Sequence, residues 1–269
     1  MLTRLSILLL ACALMGMAPP QAQNQPTAAA DSASITTDRP SVTDASIVVP
    51  AGSLQVENGF LANSTPGLRT LDGPETVVRF GLFSKTELRF YVPDDYYNQG
   101  IGLNAGSSLA SGFGDLAIGV KQQLGPTRGF DVSVVAYLSF PTGARAISSH
   151  GCDPAVQVPW SRALSPKWTL GGMLSLYDPT QGGRRNLTGE PTIMVARQLT
   201  APWSAFVEYA GDFSQRGGPR DLLHVGTTLS VTKRQQLDFH VGVGSLAGIT
   251  YHFIGFGYSF RIQALRIHR

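Results

Sequence analysis

Ionisable side chains recur at alternate positions of several stretches that are otherwise apolar. In one stretch, Asp238 and His240 alternate with Leu237, Phe239 and Val241. Successive side chains of a β-strand point to opposite faces, so the pattern predicts strands with one apolar and one polar face. Such a polar face can line a channel or binding site, and it can equally form an ion-pair network that fills the interior. The predicted lumen-lining residues are Glu57, Arg79, Glu87, Arg89, Asp115, Lys121, Asp131, Glu208, His224, Asp238 and His240.

Other kinds of chemistry receive less support from the sequence. His224 and His240 fall on adjacent predicted strands, but no cysteine or closely spaced carboxylate cluster completes a metal site. An outer-membrane lipid hydrolase would need a serine activated by a histidine, and His150 has serines nearby. However, there is no nucleophile elbow, phosphate-cradling loop or pair of catalytic carboxylates. We therefore predict no enzyme, catalytic residue, metal or cofactor, and keep the hydrolase as a less favoured alternative.

The elements that must position these residues are β-strands. Most have about the 9–11 residues that a tilted strand needs to cross a bilayer. Twelve are predicted, at about 53–62, 75–83, 86–92, 114–124, 130–141, 155–164, 168–178, 191–199, 203–213 and 221–231, with two more between 236 and 262.

The predicted connections alternate in length along the chain. Long links rich in Gly, Pro, Asn and Asp follow the odd-numbered strands, and the longest is Pro93–Phe113. Outer-membrane barrels have short periplasmic turns and longer extracellular loops. The alternation predicts one transmembrane antiparallel barrel of about twelve strands, and only the link Ser245–Gly248 departs from it. The short links are Ser84–Lys85, Gly125–Gly129, Ser165–Lys167, Thr200–Pro202 and Thr232–Gln235.

Composition favours the apolar face as the one that meets lipid. Charged residues make up 14% of the chain, below the roughly 25% that is typical of soluble domains. Arg or Lys facing lipid at mid-depth would cost about 2–4 kcal/mol, so the ionisable face is predicted to be enclosed. A water-soluble barrel with its rings inside is the inverted alternative. Lys and Arg form no patch or basic helix, which argues against a nucleic-acid partner.

The amino-terminal residues are typical of a secretory signal. Arg4 precedes an apolar stretch, and cleavage is predicted after Ala22, or as late as Ala30. Leu9 to Cys12 form a loose lipoprotein-like sequence, so lipidation at Cys12 stays open. Once the signal is removed, Cys152 is the single cysteine and no intrachain disulfide is possible. The predicted regions are therefore a signal at 1–22, a flexible leader and periplasmic segment at 23–52, a barrel at 53–262 and a basic tail at 263–269.

The three tryptophans are predicted to lie near the short-turn ends of their strands. These residues, Trp160, Trp168 and Trp203, fit an aromatic girdle at the membrane–water interface. The alternative is that tryptophan is simply common at strand ends.

Four short motifs occur in a recognisable order. Thr37-Asp38-Arg39-Pro40 precedes Val49–Phe60, then Gly112–Leu116 enters one strand and Phe140–Gly143 leaves the next. Over residues 36 to 262, this order resembles the outer-membrane family named for the MetA pathway of phenol degradation. The resemblance implies a transporter-like barrel for organic, often aromatic or hydrophobic, compounds. Asp38, Arg39 and Pro40 are expected to form a periplasmic motif, acting as a charged plug, a rim anchor or an exposed linker.

The predicted function is an outer-membrane channel or transporter-like protein for passive uptake of small organic compounds. Its expected partners are outer-membrane lipid, a small organic solute in the lumen and the barrel-assembly machinery. The alternative is a non-transporting structural or surface-interaction barrel with contact sites in the loops at Pro93–Phe113 and Thr142–Pro154.

Overall fold

The alternation of apolar and polar residues produces the strands of a closed antiparallel sheet. The computed structural model describes residues 34–100 and 109–265, so the predicted signal lies outside the described residues. The strands are β1 Ser53–Thr65, β2 Leu68–Gly73, β3 Val77–Phe83, β4 Thr86–Tyr91, β5 Asp95–Gly100, β6 Gly112–Phe113, β7 Leu116–Gln123, β8 Asp131–Phe140, β9 Asp153–Ser165, β10 Trp168–Tyr177, β11 Thr180–Gln181, β12 Arg184–Arg185, β13 Thr188–Gln198, β14 Trp203–Ser214, β15 Arg220–Thr232, β16 Gln235–Leu246 and β17 Ile249–Gln263.

The barrel closes where β1 pairs with β17, from Ser53 opposite Gln263 to Ser64 opposite His252. Phe60 and Phe256 face each other across this seam on the outer surface, with ring centroids 5.4 Å apart. Closure pairs both edges of the sheet, which would otherwise present unpaired backbone groups.

Three of the twelve barrel strands are each built from two pieces, namely β2 with β3, β4 with β5, and β6 with β7. β1 pairs with both β2 and β3, and those two pair with β5 and β4 respectively. The first two breaks contain Pro74 and Pro93, which have no N–H to donate to a neighbouring strand. The predicted count of about twelve strands is confirmed, with β11 and β12 forming a separate hairpin in a loop.

The two faces of the sheet differ as the alternation predicts. On β15, Leu223 and Val225 are 53% and 40% exposed on the outside, whereas His224 between them is 1% exposed. The outer surface is apolar along most of its height, and the interior holds most of the buried charges. Among the described residues, no helix is long and apolar enough to span a membrane.

The predicted short-turn end is confirmed, and the opposite end needs two corrections. The turns 84–85, 166–167 and 233–234 have two residues each. At the other end, residues 63–74 were predicted to be a loop, but the long hairpin of β1 and β2 turns at Pro66–Gly67. The predicted loop Pro93–Phe113 contains β5 and β6. Both segments carry polar residues on both faces, such as Arg69 and Thr70 in β2 and Asp95 and Asn98 in β5, so they lack the apolar alternation that marks the other strands.

Candidate functional site in the barrel lumen

Residues 35–49, called the plug below, lie inside the barrel. The plug enters at the short-turn end, where the Ile35 amide donates to the carbonyl oxygen of Lys233 at 2.7 Å. The chain returns to the same end, where the Gly52 amide donates to the Gly81 carbonyl at 2.8 Å. The prediction of a flexible, periplasmic segment at 23–52 is therefore wrong for residues 35–49. Their polar groups are matched by inward side chains of distant strands, which a local pattern cannot reveal.

One wall of the lumen binds the plug through a buried cluster centred on Arg79. Its Nε lies 2.9 Å from Oε1 of Glu87, and its Nη1 lies 2.9 Å from Oε1 of Glu57. Nη1 also lies 3.2 Å from Oδ1 of Asp38, which belongs to the plug. Because Arg79, Glu57 and Glu87 are almost fully buried, their charges are compensated by one another instead of by water.

Two further cations of the same wall reach plug carboxylates. Arg89 Nη2 lies 2.5 Å from Oδ2 of Asp38, and its Nη1 lies 3.0 Å from Oδ2 of Asp44. Lys121 Nζ lies 3.4 Å from Oδ1 of Asp38. Burial alone would raise the pKa of Asp38, but Arg79, Arg89 and Lys121 together lower it below its usual range. Asp38 is therefore the ionised anchor of the plug.

Carboxylates of this wall also bind the plug backbone. Glu57 Oε2 accepts hydrogen bonds from the amides of Asp38 and Arg39 at 2.9 and 3.1 Å. Glu87 Oε2 accepts one from the Val49 amide at 2.6 Å. The plug has little regular structure, so these side chains satisfy backbone donors that would otherwise be buried without partners.

Glu208 on β14 binds the plug from the opposite wall. Its two carboxylate oxygens accept hydrogen bonds from the amides of Val42 and Thr43 at 2.8 and 2.7 Å. His224 Nδ1 lies 3.0 Å from Oε2 of Glu208, and His224 Nε2 lies 2.8 Å from Nδ1 of His240. The two predicted histidines thus come together, and His224 connects Glu208 to His240.

Arg39 joins the plug to the seam side of the barrel. Its Nη1 lies 2.6 Å from Oε2 of Glu75, and its Nη2 lies 3.4 Å from Oδ1 of Asp238. Its guanidinium occupies space above Gly59 and Gly257, where a β-carbon would come within 1.9 Å of Cζ and 2.6 Å of Nε respectively. The plug is therefore held on both walls and at the seam.

Two cavities lie on opposite sides of the same plug residues. The outer cavity, of about 390 Å³, extends towards Tyr91, Arg220 and Tyr251. The inner cavity, of about 210 Å³, lies near Phe206 and Gln236. The residues that contact both cavities are Arg39, Pro40 and Ser41. These three residues therefore lie between the two cavities.

The structure places nine of the predicted lumen residues inside the barrel and nearly buried: Glu57, Arg79, Glu87, Arg89, Lys121, Glu208, His224, Asp238 and His240. Asp131 lies on the inward face of β8 at the short-turn end and is partly exposed. Asp115 lies between β6 and β7 and is only partly buried. Its carboxylate accepts hydrogen bonds from the amides of Gly143 and Ser149, both at 2.9 Å, and so holds the β8–β9 loop, because the strand breaks between β6 and β7.

Asp38, Arg39 and Pro40 lie in the lumen, which agrees with the charged plug among the three expected roles and corrects their expected periplasmic placement. Several interior charges were missed by the sequence reasoning. Asp44 and Glu75 lie in or beside segments without alternation. Glu190 belongs to β13, but the corresponding strand was predicted to begin only at residue 191. Glu190 Oε2 lies 3.2 Å from Nη2 of Arg220, which also binds Asp212 at 2.7 Å.

The remaining candidates lie outside the lumen. Trp168 and Trp203 are 42% and 48% exposed on the outer face near the short turns, and Trp160 packs against Phe130 at 6.0 Å. Their position at the membrane interface stays a prediction. The His150 amide, not its imidazole, contacts Ser148 Oγ at 3.1 Å. Within the part of the chain that the structure describes, no group of three His, Cys, Asp or Glu residues could hold a metal ion.

Residues 37–262 match the model of the family described as "Putative MetA-pathway of phenol degradation". The chain belongs to this family. The match begins inside the plug and ends in β17, so the family pattern includes the plug as well as the barrel. The chain has no significant match among curated proteins.

Solved structures with a similar fold are outer-membrane barrels. The COG4313 outer membrane channel from Pseudomonas putida F1 is similar with a TM-score of 0.66 and 13% identity, covering 83% of this chain and 99% of that one. The NanC porin is similar with a TM-score of 0.53 and 11% identity, covering 78% of this chain and 100% of that one. At these identities the likeness shows the fold, so this family member has the fold of outer-membrane barrels.

Proposed function

We propose that the protein is an outer-membrane channel for passive uptake of small organic compounds, with the plug setting its aperture. The observation that carries this function is the pair of cavities on opposite sides of Arg39, Pro40 and Ser41. In a purely structural barrel, the side chains of the strands would fill the interior. Here a separate segment, the plug, occupies the interior and has a cavity on either side. The family description names phenol degradation, which supports an organic, often aromatic, solute.

The contacts of the plug are suited to reversible displacement. Beside the apolar packing of Val42, they include ion pairs and hydrogen bonds whose partners Glu75, Glu208 and Asp238 belong to the wall. Polar contacts of this kind can be exchanged for contacts with water as the lumen hydrates. A plug held by apolar packing would expose hydrophobic surface instead.

Single-channel recording on the purified full chain tests the proposal. We expect a low conductance in the plugged protein and transient current blocks when an uncharged aromatic solute is added. Arg39→Ala should raise the conductance several-fold, because it removes the contacts with Glu75 and Asp238 and the side chain between the two cavities. Arg69→Ala, on the exposed outer side of β2, is the matched control.

The alternative is a non-transporting surface barrel, which the occluded lumen favours. A protein that conducts no ions and passes no solute, with or without Arg39, would contradict the channel. Loss of partner binding after deletion within residues 142–152 would then support the alternative, since these residues form the extracellular β8–β9 loop.

A further inference from the structure

The charges in the lumen and plug are unbalanced among the described residues. Arg39, Arg79, Arg89, Lys121 and Arg220 form ion pairs in the interior, and Arg261 is a further buried cation near the short turns. The same five are shared among eight carboxylates, and three more carboxylates lie in the interior without a Lys or Arg partner. The eight are Asp38, Asp44, Glu57, Glu75, Glu87, Glu190, Asp212 and Asp238, and the three are Asp72, Asp94 and Glu208.

This excess of carboxylates contrasts with the net charge of the whole chain, which is +3. The surplus of Lys and Arg must therefore lie away from the lumen. A narrow path lined by carboxylates between low-dielectric walls attracts cations and repels anions. The interior thus favours solutes with a positive group.

The excess of carboxylates is found on one side of the outer cavity. Glu75 and Asp94 line it, and Asp72 is close enough to both to act on them electrostatically. Arg39 is the cation that faces Glu75, and Asp94 has no ion pair in the described part of the chain. This wall therefore holds more carboxylates than cations.

The other side of the outer cavity is aromatic. Tyr251 and Phe253 line it, and Tyr251 is only 7% exposed. Several buried polar atoms of the lining residues have no hydrogen-bond partner among the described atoms, and they include Oη of Tyr91, Oη of Tyr251 and Oδ1 of Asp94. Buried polar groups normally have partners, so their grouping around one cavity indicates a ligand or water between them. Aromatic faces also attract cations.

We infer that the outer cavity binds a small organic cation, with Asp94 and Glu75 contacting its positive group and Tyr251 and Phe253 its uncharged part. The volume of about 390 Å³ is at the lower end of the range of small-molecule sites. The site deepens the proposed function, because it names the class of solute that would wait above the plug.

Calorimetry on the full-length barrel in an uncharged detergent tests the site with three probes of equal shape. Choline carries a positive charge, 3,3-dimethylbutan-1-ol is its neutral isostere, and 3,3-dimethylbutanoate is an anion. We expect choline to bind at least ten-fold more tightly than the alcohol, with no binding of the anion. Equal binding of choline and the alcohol would overturn the inference.

Neighbouring aspartates provide the matched variants. Asp94→Asn should weaken choline binding about ten-fold and reduce the preference for K⁺ over Cl⁻ measured as a reversal potential across a salt gradient. Asp95→Asn should leave both unchanged, because Asp95 is exposed on the other face of β5. Equal effects of the two variants would overturn the site. If Asp94→Asn fails to fold, Tyr251→Phe, which removes only the unpartnered hydroxyl, should still change choline affinity, and an unchanged affinity would count against the site.

Binding and flux separate this inference from the proposed function. Choline binding without any solute flux would contradict the channel and leave the site intact. Flux of organic solutes without choline binding would overturn the site alone.

Discussion

Gly59 on β1 provides the space that the guanidinium of Arg39 occupies. A β-carbon at residue 59 would lie 1.9 Å from Cζ of Arg39, closer than any non-bonded contact allows. The guanidinium cannot move aside freely, because Glu75 holds Nη1 at 2.6 Å. The absence of a side chain at residue 59 therefore allows Arg39 to occupy its position in the lumen.

The first prediction follows from this contact. Gly59→Ala should displace Arg39 from Glu75 and raise single-channel conductance to the level of Arg39→Ala, while the barrel itself stays folded. Gly189→Ala is the control, because a β-carbon there meets Leu176 at an ordinary 3.8 Å. An unchanged conductance in Gly59→Ala would show that the closed position does not depend on this contact.

The second prediction concerns Glu208. Glu208→Ala leaves the amides of Val42 and Thr43 and the ring of His224 without this acceptor. An unsatisfied buried donor costs about 1–3 kcal/mol, so the plug contacts should weaken by several kcal/mol in total. Amide hydrogen exchange of peptides covering residues 35–49 should accelerate at least ten-fold. Glu208→Gln, which keeps one carbonyl acceptor, should show a smaller effect, and Asp131→Ala should show none.

The third prediction concerns the buried cluster. Arg79→Ala leaves Glu57 and Glu87 without their shared cation and should lower the free energy of unfolding in detergent by about 3–5 kcal/mol. Adding Glu57→Gln and Glu87→Gln should restore part of the loss, because the uncompensated charges are then removed. Arg128→Ala, in an exposed short turn, is expected to have little effect. A loss that the second substitutions do not reduce would show that Arg79 acts through packing instead of charge.

The sequence could predict the barrel because alternation is a local property. Leu223, His224 and Val225 are neighbours in the chain, and their order alone assigns each of them to a face. Because ionisable side chains avoid lipid, the face that carries them is expected to point into the barrel. The same rule then assigns the inner and outer face of every strand that shows the alternation. The short turns could also be predicted, because a link of two residues can only join two neighbouring antiparallel strands.

The plug could not be predicted in the same way. Asp38 is separated from Arg89 and Lys121 by 51 and 83 residues, and the Val42 amide is separated from Glu208 by 166. Such pairings depend on where a segment without periodicity comes to rest. However, the predicted lumen residues contain more carboxylates than Lys and Arg side chains. This surplus indicates that hydrogen-bond donors from elsewhere in the chain must pair with the remaining carboxylates.

The fourth prediction tests which face meets lipid. Val225→Arg, near the middle of β15 on its outer face, should cost about 2–4 kcal/mol of folding free energy in a bilayer. Val231→Arg, on the same face near the short turn, should cost about 0–1 kcal/mol. Folding titrations into lipid vesicles provide the measurement. Equal costs at the two positions would contradict a hydrocarbon layer around this strand and favour a barrel surrounded by water.

Ile35 and Gly52 both lie at the short-turn end, so the segment between them is a loop that enters and leaves the barrel through the same opening. Such a loop can leave the lumen and re-enter it through that same opening. No chain terminus has to pass through the barrel when this loop moves. The pairing of β1 with β17 also stays intact. The proposed displacement of the plug would therefore preserve every strand pairing of the barrel.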